Sequence, residues 1–154
     1  MTILHILSNS FLKVYPRPSY SRLLSQPTNK KILDLGIRSA LSEVCLPVKI
    51  FYGHVLSLSK QVDYLLIPRM VCIEKGAFFC PKMIGLPDMV KNSLTSLCPQ
   101  VSPVIDVREP YGTWKNSLMQ VGQLITDNSA DISRAFSASW DNFQKSYLRN
   151  MGSR

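Results

Sequence analysis

The residues best suited to chemistry in this sequence are its four cysteines: Cys45, Cys72, Cys80 and Cys98. Thiolates act as nucleophiles and as ligands of zinc or iron–sulfur clusters, and in a reducing compartment they are not expected to pair as disulfides. None of their spacings is that of a CxxC zinc ribbon, and the two histidines, His5 and His54, add no Cys/His pattern. Metal ligands, a nucleophile and packed thiols therefore remain as alternatives.

Cys45 and Cys80 have similar sequence surroundings. Cys45 is followed by Leu-Pro and Cys80 by Pro, and each comes shortly before a predicted helix. The start of a helix stabilises a thiolate or an anionic cluster, and strand-to-helix junctions of an α/β sheet gather in one crevice at its carboxyl edge. This geometry would bring the two cysteines together despite 35 residues between them. From the residues alone, two packed free cysteines are the plainer interpretation and a pair of cluster ligands is the alternative.

The remaining cysteines give a weaker signal. Cys72 lies in the apolar run Met70-Val71-Cys72-Ile73, which is typical of a packed thiol. Cys98 ends a predicted helix before Pro99, where an inert core thiol is the preferred interpretation and an approach to the crevice the alternative. GxGxxG, Walker A and GxSxG motifs are absent, so a loop that cradles a nucleotide is unsupported.

Hydrophobic periodicity and the ten prolines predict short elements with abrupt ends. The first two predicted helices are one capped by Thr28 that stops at Gly36 and one with Pro47 in its first turn that reaches Leu58. The others are one from Leu86 or Pro87 to about Leu97, one over Lys115–Thr126, and a last one capped by Ser129 or Asp131. The predicted strands are Ile3–Leu7, Ile37–Leu41, Val62–Ile67 and Val101–Val107, with a proline-broken segment at Tyr15–Tyr20 and a loop over Arg69–Phe79. Helices that alternate with short apolar strands predict a layered α/β fold.

The chain is basic, with a formal net charge of +8 and a sequence pI near 9.5. Its 18 Lys and Arg residues are scattered, without a run of four or more and without interleaved aromatics. A solvated basic surface is the plainest interpretation, an anionic ligand such as a CoA phosphate comes next, and nucleic acid is disfavoured. Because a signal peptide and a membrane span are not recognisable, we expect a soluble, cytoplasmic protein with no membrane partner.

Two stretches together resemble a known family. One runs from Gln26-Pro27-Thr28 through CLPVK at residues 45–49 to GHV at residues 53–55. The other runs from VDYLLIPR at residues 62–69 through CPK at residues 80–82 to GLPD at residues 85–88. This ordered set resembles the 2-hydroxyacyl-CoA dehydratase-like, or CoA enzyme activase-related, family over roughly residues 25–107.

The resemblance implies a fold, a cofactor and partners. The fold would be flavodoxin-like or Rossmann-like with short parallel strands, and incomplete in a chain this short. Cys45 and Cys80 would hold a [4Fe–4S] cluster, with a third thiolate from Cys98 or a partner, and Lys49, Arg69 and Lys82 would offset the charge of the cluster or of a CoA phosphate. The cluster would serve electron transfer or the radical dehydration of an acyl-CoA, a lyase reaction.

The resemblance also divides the chain and suggests an alternative. It implies a shortened N-terminal segment at residues 1–27, an α/β core at residues 28–110 and C-terminal helices at residues 111–154. The expected partner is a related dehydratase or activase subunit, in a homo- or hetero-oligomer. The alternative is a non-catalytic subunit or relic that packs on a full-length partner and holds no cluster.

Overall fold

The computed structural model describes residues 23–74, 76–109 and 111–151. The helices are α1 (Lys30–Ser39), α2 (Leu46–Ser59), α3 (Pro81–Ile84), α4 (Leu86–Ser93), α5 (Tyr111–Gln123) and α6 (Ser129–Met151). The strands are β1 (Leu65–Leu66), β2 (Arg69–Glu74), β3 (Ala77–Phe78), β4 (Gln100–Val101) and β5 (Val104–Asp106). The predicted α/β class with short parallel strands is confirmed. The strand predicted at Ile3–Leu7 and the irregular segment at Tyr15–Tyr20 lie outside the described residues.

The described residues belong to two compact units, residues 23–114 and residues 115–151. The division predicted after residues 27 and 110 stays a prediction. Both cysteines singled out for chemistry belong to the first unit, so its architecture positions the candidate site.

The first unit is built on a broken parallel ladder. β1 pairs with β4 and β2 pairs with β5, both in parallel. Three backbone hydrogen bonds of 2.9 Å continue the ladder between and beside these short strands: Leu65 N to Pro99 O, Ile67 N to Val101 O, and Arg69 N to Pro103 O. β1 and β2 follow one line, which we call the strand track, and β4 and β5 follow the line paired with it. Pro68 and Pro103 have no amide hydrogen, and each lies where one of these lines is interrupted. The strands predicted at Val62–Ile67 and Val101–Val107 are therefore present in shortened form.

The prediction of a loop over Arg69–Phe79 is wrong. β2 occupies residues 69–74 and pairs antiparallel with β3, with Cys72 opposite Phe78. Gly76 forms the turn with a φ of +87°, a left-handed conformation that glycine adopts without steric cost. An apolar, β-branched run beside a glycine turn thus forms a hairpin, and β2 also gains β5 as a second partner.

The start and end of α1 both differ from the prediction. Asn29, rather than Thr28, caps the helix, because its side-chain oxygen accepts a hydrogen bond of 3.0 Å from Ile32 N. The helix also continues past Gly36 to Ser39, so the strand predicted for Ile37–Leu41 is wrong. Gly36 has a packing role instead: a Cβ built on it would lie 1.8 Å from the carbonyl oxygen of Lys49 in α2.

A single apolar cluster joins α2, the strand track and α4. It comprises Val48, Tyr52, Val55, Leu65, Ile67, Leu86 and Val90, all at most 4% exposed. The hydroxyl of Tyr52 also forms a hydrogen bond of 2.8 Å with the hydroxyl of Ser93, which ties α2 to the end of α4. α2 leads into β1 through a short turn and packs on the same core. The helix therefore runs in the direction opposite to β1.

The second unit contains the end of α5 and the whole of α6. The predicted helix over Lys115–Thr126 is present with its end at Gln123, and the last helix starts at Ser129. Its cap is Asn128, whose side-chain oxygen accepts a hydrogen bond of 3.1 Å from Ala130 N, so the predicted cap at Ser129 or Asp131 is wrong. Ile132 and Phe136 are buried, and the Phe136 and Trp140 rings stack with centroids 6.4 Å apart.

Candidate functional site

Cys45 and Cys80 occupy equivalent local positions. Each is the extended residue immediately before a helix, with φ and ψ of −68° and 159° at Cys45 and of −63° and 145° at Cys80. Neither side chain makes a capping hydrogen bond, and both residues are exposed. The packed-thiol interpretation is therefore wrong for this pair, and both thiols are open to a ligand.

The two cysteines lie at the same end of the first unit. Lys82 Nζ donates a hydrogen bond of 3.4 Å to the backbone oxygen of Glu43, which links the loop before α2 to the start of α3. Each of the linked residues is two positions from one of the cysteines. The length of α2 agrees with this placement of Cys45. The 14 residues of the helix rise about 21 Å from its end near β1 to its start at Cys45.

Cys98 lies at the opposite end of the strand track. The carbonyl oxygen of Pro99, the residue after Cys98, accepts a hydrogen bond from the backbone N of Leu65. The backbone N of Phe79, the residue before Cys80, donates a hydrogen bond of 3.2 Å to the carbonyl oxygen of Val71. The six residue-to-residue steps from Leu65 to Val71 would span about 20 Å in fully extended strand. The structure thus brings Cys45 and Cys80 to one end and leaves Cys98 at the other.

The surroundings of Cys98 fit a packed thiol. It is half-buried and packs against the apolar cluster of α2, the strand track and α4. Burial raises the pKa of the Cys98 thiol, and the nearby Asp63 carboxylate raises this pKa further, although a backbone hydrogen bond acts in the other direction. Cys72 is fully buried on β2. Among residues 23–74, 76–109 and 111–151, no group of three His, Cys, Asp or Glu side chains could hold a metal ion.

The three cations expected near the cysteines differ in their contacts. Lys82 reaches the loop that carries Cys45, and Lys49 is half-buried on the first turns of α2. The Arg69 side chain instead donates one hydrogen bond of 3.0 Å to the backbone oxygen of Ile84 and another of 2.6 Å to Asp88 Oδ2. Arg69 therefore ties β2 to the end of α3 and the start of α4, which positions the short helix that follows Cys80.

A second polar constellation lies at the carboxyl end of β5. Asp106 accepts hydrogen bonds of 2.9 Å from Arg108 Nε and 2.5 Å from Arg108 Nη2, and its carboxylate is only 8% exposed. The Arg108 hydrogen bonds hold the pKa of Asp106 below its usual range despite the opposing effect of burial. The guanidinium carbon of Arg108 lies 4.9 Å from the centroid of the Phe78 ring. The contact of Arg108 with Phe78 could not be predicted from the sequence, because the β2–β3 hairpin was not predicted.

His54 anchors the segment that leads into α1. Its Nδ1 lies 2.5 Å from the Ser25 hydroxyl, and its Nε2 lies 3.0 Å from the Thr28 hydroxyl. Both ring nitrogens thus contact hydroxyls of residues 23–29. This arrangement gives His54 a structural role, and it explains why Thr28 does not cap α1.

Comparison with known proteins identifies one family. A family model described as "CoA enzyme activase uncharacterised domain" matches residues 17–153, which include Cys45, Cys80 and both structural units over most of their length. No curated protein and no solved structure gives a significant match to the chain. In the described part of the chain, no helix combines the length and apolar character needed to cross a membrane.

Proposed function

The chain belongs to the family of CoA enzyme activase uncharacterised domains, and on this premise we propose that it is an iron–sulfur protein related to the 2-hydroxyacyl-CoA dehydratases. Cys45 and Cys80 supply two of the thiolates that bind a [4Fe–4S] cluster. Such a cluster serves electron transfer or the radical dehydration of an acyl-CoA. The observation that carries the proposal is the pair of exposed thiols at one end of the first unit, on segments joined by the contact between Lys82 and Glu43.

The described residues fit only part of such a cluster. A [4Fe–4S] cluster takes four thiolates, whereas Cys45 and Cys80 are the two that share one end of the unit. Cys98 instead lies beside Pro99, which pairs with Leu65 at the other end of the strand track. The missing ligands therefore have to come from outside the described residues, and we assign them to a partner chain, a related dehydratase or activase subunit.

The chain's own groups favour an anionic ligand at the two thiols. Cys45 stands at the start of a 14-residue helix, whose first backbone N–H groups carry partial positive charge toward it. The ammonium of Lys82 lies between the loop before α2 and the start of α3. Both features place positive charge on the segments that carry the two cysteines, which suits an anionic ligand.

A second candidate function has its own support. Because the described residues contain no group of three metal ligands, a non-catalytic subunit that packs on a full-length partner without a cluster also fits the structure. The two functions differ in a single measurable property, the iron bound at Cys45 and Cys80.

The test compares iron and acid-labile sulfide in anaerobically purified protein, reconstituted with excess glutathione as a stand-in for the missing thiolates. We expect visible absorbance and bound iron in the wild-type chain, loss of both in Cys45→Ala/Cys80→Ala, and retention of both in the matched control Cys98→Ala. Equal loss of iron in the control would show that the ligand pair is wrongly assigned. Absence of iron from the wild-type chain under all these conditions would favour the cluster-free subunit.

A further inference from the structure

The two thiols at one end of the first unit are suited to a second chemistry besides metal binding. Cys45 and Cys80 are both free and exposed, and neither side chain makes a capping hydrogen bond. Cys72 is fully buried, and Cys98 packs against the apolar cluster. Thiols that are exposed and can approach each other exchange with small disulfides, so exposure singles out one pair among the four cysteines.

Residues within three positions of each cysteine converge on one region of the unit. Val44, next to the first cysteine, and Met83, in the helix after the second, both pack against the apolar cluster of α2, the strand track and α4. Lys82 Nζ also donates a hydrogen bond of 3.4 Å to the backbone oxygen of Glu43. An apolar and a polar contact thus hold the two segments at the same place.

The helix after Cys80 is suited to the small movement that a disulfide needs. A disulfide joins residues whose Cα atoms are about 5.5 Å apart, with a fixed torsion about the sulfur–sulfur bond. α3 is a single turn over Pro81–Ile84, and none of its residues is buried, so it can shift without opening the core. α2 buries Val48 and Tyr52, which fix the segment that carries Cys45. Cys80 is therefore the cysteine that moves.

Arg69 limits this movement to the start of α3. Its side chain holds the backbone oxygen of Ile84 at 3.0 Å and the carboxylate of Asp88 at 2.6 Å. These bonds anchor the last residue of α3 and the first turn of α4 to β2. Rotation of α3 about this anchor changes the position of Cys80 and leaves α4 in place.

We infer that Cys45 and Cys80 form a reversible intramolecular disulfide in the chain that holds no cluster. The oxidant is a small-molecule disulfide such as glutathione disulfide. One cysteine thiolate attacks a sulfur of the oxidant and forms a mixed disulfide, which releases the first glutathione. The other cysteine thiolate attacks the protein sulfur of the mixed disulfide and releases the second glutathione. The two protein sulfurs lose two electrons, the oxidant gains them, and the two thiol protons end on the released glutathiones.

The disulfide also regulates the cluster site, and this consequence alone rests on the proposed function. A cluster is bound by thiolates, so oxidation of the pair blocks ligation and reduction restores it. The chain would then accept iron only under reducing conditions.

The test uses the whole chain, freed of metal with a chelator and equilibrated in mixtures of reduced and oxidised glutathione. After alkylation of the remaining thiols, mass spectrometry of peptides digested without reductant identifies each disulfide. We expect a peptide pair linked through Cys45 and Cys80. Half of the chain should be oxidised at a ratio of squared reduced to oxidised glutathione of at least about 1 mM, the effective concentration of groups joined by a short flexible linker.

Matched variants assign the pair. Cys98→Ala should form the same disulfide at the same ratio, whereas Cys45→Ala should give only a mixed disulfide of Cys80 with glutathione. Mixed disulfides alone in the wild-type chain, a pair that includes Cys72 or Cys98, or disulfides only between two chains would each overturn the inference. Circular dichroism of each variant verifies that it is folded.

Iron uptake separates this inference from the cluster proposal. The oxidised chain should bind no iron until dithiothreitol is added, and equal uptake with and without dithiothreitol would overturn the regulation of the site. Absence of iron even from the reduced chain would refute the cluster, and with it this regulation. The disulfide itself would stand in that case, because it is identified by peptide mass and not by iron.

Discussion

The crossing of α1 and α2 provides a sharp prediction, because two glycines let the helix backbones touch. A Cβ on Gly53 would lie 1.9 Å from the carbonyl oxygen of Ile32, and a Cβ on Gly36 would lie 1.8 Å from that of Lys49. Ordinary contact begins at 3.4 Å, so Gly53→Ala requires the two helices to separate by about 1.5 Å, the difference between the two distances. The obstacle is backbone, which cannot rotate away as a side chain can.

The expected cost follows from two opposing effects. Overpacking of a close-packed interior costs about 1–3 kcal/mol, and a backbone clash lies at the upper end of that range. Alanine favours a helix over glycine by about 1 kcal/mol, which offsets part of the cost. We therefore expect Gly53→Ala to lower the free energy of unfolding by about 2 kcal/mol, the difference between these effects.

Urea denaturation followed by circular dichroism measures this change. Gly85→Ala is the matched control, because its added Cβ would meet its nearest atom, Pro81 O, at an ordinary 3.5 Å. We expect the control to be close to neutral. A Gly53→Ala variant as stable as the wild type, or more stable, would refute the close crossing and with it the position of the loop that carries Cys45.

Three further predictions concern individual side chains. Because burial raises the pKa of Cys98, iodoacetamide at pH 8 should alkylate it more slowly than Cys45, as peptide mass spectrometry would show, and equal rates would contradict its placement. The pKa of Asp106 is lowered in the folded state, so its ion pair contributes stability above the unfolded pKa that is lost as the pH falls through the folded pKa. Asp106→Asn should therefore lower the urea midpoint at pH 7, with a gap to the wild type that narrows below about pH 4; a constant gap would refute the pairing. His54→Ala removes two hydroxyl contacts worth about 1 kcal/mol each, so hydrogen exchange should show faster exchange in residues 23–29, and unchanged protection would contradict the anchor.

The sequence was sufficient for elements whose signals are local. Pro47 in a first turn and apolar residues at helical spacing predicted α2. The misassigned elements depend on contacts distant in sequence. Gly36 has the residue type of a helix terminus, but it is needed for the approach of Lys49, and β2 is a strand because β3 and β5 flank it. Local patterns carry no information about either partner.

The candidate site was predictable to a similar degree. The positions of Cys45 and Cys80 immediately before helices followed from Leu-Pro and Pro, and the structure confirms these positions. The sequence also contained a usable signal against Cys98, because it precedes a strand rather than following one. Residues before a parallel strand lie at its amino edge, which is opposite to the carboxyl edge where ligands bind. The contact between Phe78 and Arg108 depends on the hairpin register and could not be predicted from residue spacing.

Chain direction explains why the two exposed thiols share one end of the first unit. The end of α2 leads toward β1, so Cys45, at the start of this helix, lies away from Leu65 and Pro99. Phe79 pairs with Val71 further along β2, and Cys80 follows directly, so the hairpin also carries its cysteine away from Leu65. Iron that is bound by the wild-type chain and lost in Cys45→Ala/Cys80→Ala would support a shared site at this end, whereas iron retained by the double variant would place the ligands elsewhere.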